Sequence, residues 1–109
     1  MPSQMPYRAT TATGDVLDFR FPLHPETGSP MRVNQLVSQL LATLDRELKL
    51  LGEVGNGDVL QAVAMTLAVR AAMIHAPREQ TAQLAFELAR RALEAGVEAE
   101  RSSPVSGRA

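Results

Sequence analysis

The amino-acid sequence predicts an all-α fold: a three-helix antiparallel bundle with an extended N-terminal arm, pairing as a homodimer. Three observations carry that expectation. The apolar fraction is 45% but the aromatic fraction only 4%, so the core must be built from Leu, Val, Met and Ala, a palette that favours helices over sheets. Three long segments repeat apolar residues at spacings of three and four, each bounded by Pro or Gly. The middle one, DVLQAVAMTLAVRAAMIHA from Asp58 to Ala76, is the most apolar run in the chain and contains neither Pro nor Gly. A helix that is apolar nearly all round is expected to be buried.

With 109 residues the chain suits one domain. The division expected is an arm and loop over 1–29, a helical domain over 30–101 and a disordered tail over 102–109. Residues 1–14, with Pro2, Pro6, Gly14 and the small run Ala9 to Thr13, read as poorly ordered. Residues 16–23, VLDFRFPL, alternate with the period of a half-buried strand: Leu17, Phe19, Phe21 and Leu23 point one way if extended. Pro22 confines such a strand to an edge or an end. Three arrangements stay open. The stretch pairs with residues 7–12 through a turn at Thr13-Gly14-Asp15, pairs with its copy in a second subunit, or lies over the helices as an arm without strand structure.

The first helix is expected over 30–51. Ser29 is placed to cap it, Pro30 fits its first position, and Gly52 is its natural stop. Val33, Val37, Leu40, Leu44, Leu48 and Leu51 form its stripe, widened by Leu36 and Leu41. The glycine-rich GEVGNG at 52–57 lacks the Lys-Ser/Thr of a phosphate loop and follows a helix rather than a strand, so it reads as a tight turn. The second helix is expected over 58–76, started by a capping box of Asp58 and Gln61. Pro77 ends it and opens a third helix, 78–100. The stripe of that helix is Ala82, Ala85, Phe86, Ala89, Leu93 and Val97.

The second helix divides into two apolar faces. One holds Leu60, Val63, Leu67, Ala71 and Ile74; the other holds Ala62, Met65, Val69, Ala72, Met73 and Ala76. Helices one and three can cover the first face and part of the second. The face with Met65, Val69, Ala72, Met73 and Ala76 is left as the candidate dimer interface. There small residues allow close approach and methionine adapts to a partner. The row Ala64, Ala68, Ala72, Ala76 suits packing along one ridge.

Charge and composition narrow the chemistry. The formal net charge is −1 and no segment is strongly basic, so the stripe typical of nucleic-acid binding is missing. A nucleic-acid regulator would need Arg78, Arg90, Arg91 and Arg101 to merge into one patch. The chain has no cysteine, which excludes disulfides, thiolate metal sites and cysteine nucleophiles. His24 reads as a solvent-exposed loop residue and His75 as a helix-end residue. No Glu-x-x-His or His-x-x-x-His spacing occurs, so no metal or cofactor is expected. A nucleophile with its base cannot be assembled from this inventory, and a non-enzyme is expected. The N-terminus lacks the apolar core of a signal peptide, and Arg70, Gln61, Thr66 and His75 interrupt the central apolar run. Neither export nor a membrane span is expected, and the compartment expected is the cytoplasm.

Arg70 stands out, lying between the two apolar faces. Its stem can pack along Leu67 and Ile74 with its head in water, or it can form an ion pair across a subunit interface, with Asp45 or Glu47, or receive an anionic ligand. The leading functional expectation is a small interaction or adaptor protein, with regulation as one role open to it and Leu17, Phe19, Phe21 and Leu23 as a candidate partner-docking arm. The bland alternative is that this arm covers its own core. The rival expectation is a helical module binding a small anion near Arg70.

Overall fold

The structure is a computed structural model that describes residues 4–104. It contains strand β1 (Gln4–Thr10), strand β2 (Val16–Pro22), helix α1 (Pro30–Leu51), helix α2 (Asn56–Ala72), helix α3 (Arg78–Glu98) and strand β3 (Glu100–Ser102). The three strands form one antiparallel sheet in the order β1-β2-β3. The all-α expectation is therefore wrong; the protein is α+β. Two compact units are present. The first runs to Asn34 and resumes at Ala89; the second is Gln35–Leu88.

In the first unit, β1 and β2 make a hairpin with Met5 opposite Phe21, Tyr7 opposite Phe19 and Ala9 opposite Leu17. These six side chains share one face, because alternate residues of a strand point the same way. The stretch read as poorly ordered thus holds a strand. Its alternation of Met5, Tyr7 and Ala9 with Gln4, Pro6, Arg8 and Thr10 was hidden by weakly apolar Ala and by Pro6. A proline cannot donate to a ladder, so Pro6 is compatible only with an edge, and β1 is an edge strand. Of the three arrangements open for residues 16–23, pairing with the N-terminal stretch is the one formed. Pro22 ends β2 rather than marking an edge, since β2 is the central strand.

The connection is closed locally. The Thr11 N–H donates to the Asp15 carbonyl at 2.8 Å, the Gly14 N–H to the Thr11 carbonyl at 3.0 Å, and the Asp15 N–H to the Thr11 hydroxyl at 3.0 Å. Gly14 has φ +93°, a region that costs any residue with a Cβ, and a Cβ there would also meet Pro104 Cγ at 3.2 Å.

Strand β3 pairs Arg101 with Leu17 and Glu100 with Asp18. It begins two residues after α3 ends, where a longer helix followed by a disordered tail was expected. Residues 1–3 and 105–109 lie outside the described residues. The core of this unit gathers Met5, which is buried, with Ala95 from α3. Phe19 and Phe21 stack with ring centroids 5.0 Å apart and planes 9° off parallel. At Gly96 an added Cβ would lie 4.0 Å from the Phe19 ring.

The helix boundaries follow local chemistry. The Arg32 N–H donates to Ser29 Oγ at 3.2 Å, which caps α1 as expected. Gly52, at φ +90°, stops it. Helix α2 starts at Asn56, two residues before the expected capping box. Its cap position is Gly55, with no side-chain cap. Asp58 therefore sits inside the first turn, where its charge suits the positive helix end. The helix stops at Ala72 rather than 76, and the N–H of Met73 reaches the carbonyls of Val69 and Arg70 at 3.0 and 3.3 Å. Pro77 disfavours helix at Ala76, and residues 73–77 turn the chain into α3. The Gln80 and Thr81 N–H groups donate to the Pro77 carbonyl at 3.0 and 3.2 Å.

Replacing Gly14 by alanine is expected to lower the urea midpoint by the equivalent of about 1 kcal/mol. Gly28→Ala, where a Cβ meets nothing within 4 Å, serves as the control and is expected to leave the midpoint unlowered.

Candidate interaction surface

Helix α2 was expected to be the most enclosed element. In the single chain it is the most open of the helices: every residue from Leu60 to Arg70 is exposed, and Ala71 alone is buried. Leu60 is 69% exposed on one face and Met65 59% on the other. The covering expected from helices one and three is therefore not made. Helix α1 is amphipathic, and its stripe is only half covered. Val33, Val37, Leu44 and Leu48 are half-buried, whereas Leu36, Leu40, Leu41, Leu50 and Leu51 are exposed.

The candidate dimer residues divide. Met65, Val69 and Ala72 lie on α2, while Met73 and Ala76 fall in the turn beyond it. All five are exposed. Thr66, on the flank between the faces, donates its hydroxyl to the Ala62 carbonyl at 2.8 Å and so satisfies itself within the helix. Arg70 is exposed, and its Nη1 lies 3.5 Å from Met73 Sδ. Among the described residues neither Asp45 nor Glu47 of its own chain pairs with it.

The candidate docking arm is engaged elsewhere. Leu17, Phe19 and Phe21 are in β2 and half-buried, and Leu23 follows the strand, also half-buried. The stacked phenylalanines and the Phe19–Gly96 approach favour the reading in which this stretch covers its own core.

The other face of the sheet is polar and was missed in the sequence because its second strand was missed. Arg8 and Asp18 sit directly opposite each other, with Arg8 Nε 2.8 Å from Asp18 Oδ1. That hydrogen bond, and then the attraction of the same carboxylate, hold the guanidinium above its ordinary range. A half-open cleft of about 620 Å³ is lined by residues of both sheet faces, among them Arg8, Asp18, Tyr7 and Phe19, and by Ala95 and Glu98 from α3. Its charges are of mixed sign, which selects neither an anion nor a cation. A second hollow, about 560 Å³, is lined by Ala72 to Arg78. Arg70 lines neither hollow.

The remaining polar residues serve local structure. His24 Nδ1 accepts from the Glu26 N–H at 3.1 Å within its own turn. His75 lies exposed in the turn after α2. Arg90 is held by Glu94 at 2.6 Å and Arg101 by Asp15 at 2.8 Å, so two of the four arginines needed for a basic patch are already neutralised. Among the described residues no three His, Asp or Glu side chains gather as a metal site, and no helix is long and apolar enough to cross a membrane. No protein-family model matches the chain, and neither a curated protein nor a solved structure does.

The two cross-sheet arginines are expected to differ in weight. Asp15 is only 18% exposed, so Arg101→Ala would strand a shielded carboxylate and lower the urea midpoint by about 1 kcal/mol. Arg8 stands in solvent, and Arg8→Ala is expected to leave the midpoint within error.

Proposed function

We propose that this protein is a small non-catalytic interaction module whose second unit is completed by another polypeptide. The observation that carries the reading is the exposure of α2 on both of its apolar faces. Fully burying a Val, Leu or Met side chain contributes about 1.5–3 kcal/mol. Leu60, Val63, Met65, Leu67 and Val69 together therefore represent on the order of 10 kcal/mol, as much as the whole stability of an ordinary domain. A helix of this length gains little from its own hydrogen bonds in water and depends on what packs against it. Exposed apolar area on this scale, concentrated in one unit, marks an interaction surface rather than ordinary surface scatter.

The first unit plays a different part in this reading. Its apolar sheet residues are half-buried and Met5 is buried, so it closes a small core of its own.

Hydrogen exchange on the full chain tests the proposal. Diluted until it is a single copy, the protein is expected to exchange the α2 amides within the dead time while the β1–β2 hairpin remains protected. Slow α2 exchange in a verified single copy would overturn the reading, because the chain would then be covering its own helix.

A further inference from the structure

Resting on that reading, we propose that the polypeptide completing the second unit is a second copy of this chain, with α2 packed antiparallel against its twofold mate. The contact runs along Ala62, Met65, Val69 and Ala72, with Arg70 near the level of the partner's Asp58.

The charge pattern of α2 selects this occupant. The helix carries one acid, Asp58 in its first turn, and one base, Arg70 in its last. The two are about 18 Å apart along the axis at 1.5 Å per residue. A surface with opposite charges at its two ends is complementary to itself when turned end over end, and a twofold axis makes that turn. Residues 58, 62, 65, 69 and 72 step by four and three, so they form one continuous seam with Asp58 at its N-terminal end. With the axis beside Met65, Ala62 lies across from Val69 of the mate. Arg70 stands about 100° further round the helix than Val69, on the Thr66 flank, at nearly the level of the partner's Asp58, so its charge offsets that carboxylate from the edge of the contact. A parallel pairing would instead put Asp58 beside Asp58 and Arg70 beside Arg70.

Two further observations agree. Among the described residues neither Asp58 nor Arg70 has an ion-pair partner in its own chain. Thr66 is already satisfied by Ala62, so enclosing that flank strands no hydroxyl.

The test uses the full chain and two charge reversals, Asp58→Arg and Arg70→Asp. Each alone places two like-charge pairs in the dimer, and each is expected to weaken self-association at least tenfold by analytical ultracentrifugation. An equimolar mixture of the two variants restores both pairs and is expected to recover wild-type affinity as a heterodimer. Because the chain has no cysteine, Met65→Cys gives an independent arm should the charge variants fail to fold. Beside the axis it is expected to cross-link to its copy through a short bismaleimide, whereas Leu60→Cys on the opposite face is not. A dimer indifferent to the reversals, or one that Leu60→Cys traps and Met65→Cys does not, overturns the antiparallel geometry. A wild-type chain that stays a single copy at 100 micromolar with freely exchanging α2 amides overturns the second copy as occupant. In that case the interaction-module reading stands, with a different polypeptide as partner.

Discussion

A helix of 17 residues with apolar side chains on opposite faces cannot be satisfied by one neighbour. A single packed helix covers one stripe, and the opposite stripe then faces water. That constraint governs the second unit. Helix α1 offers one amphipathic stripe, α3 is polar on much of its surface, and α2 leaves apolar residues on both sides. On the proposed reading, folding of this unit and its association would be one thermodynamic event, and its stability would depend on concentration.

The first unit obeys another rule. Its sheet is small, and three strands with one covered face are near the lower limit for independent stability. What it lacks in area it gains in specific closure. The Thr11–Asp15 turn fixes the hairpin register, and the Asp15–Arg101 ion pair ties the far end of the chain to that turn. The phenylalanines sit opposite Tyr7 and Met5, so most of the chain's few aromatic rings serve one small core. The low aromatic content of the rest is consistent with helices built for close approach along alanine-rich faces.

The helices were legible where a single residue decides the backbone. Ser29 and Pro30 start α1, Gly52 ends it and Pro77 separates α2 from α3, because each acts through local sterics or one hydrogen bond. The sheet was not legible. Strand β1 shows only one strongly apolar side chain, Met5, along with Tyr7 and Ala9, and two of the strands' residues are prolines. Strand β3 has three residues, Glu100, Arg101 and Ser102, with no pattern at all; pairing with β2 alone makes it a strand. The two-sided character of α2 was visible in the periodicity. What covers those two sides was not, because periodicity records which faces avoid water and is silent on the chain that shields them.

The position of β3 after all three helices has a consequence for the order in which the sheet can close. Strand β2 is the middle strand, yet all three helices lie between it and its second neighbour, which starts two residues after α3. During synthesis the hairpin can close early, but one side of β2 stays without its mate until the helices and β3 have emerged. Bridging the 77 residues between β2 and β3 costs on the order of 4 kcal/mol in chain entropy, which the short ladder and the Asp15–Arg101 pair must offset. The sheet therefore acts as a late latch. A nascent or C-terminally clipped chain keeps an unpaired strand edge beside its stacked phenylalanines, and such an edge is a template for aggregation.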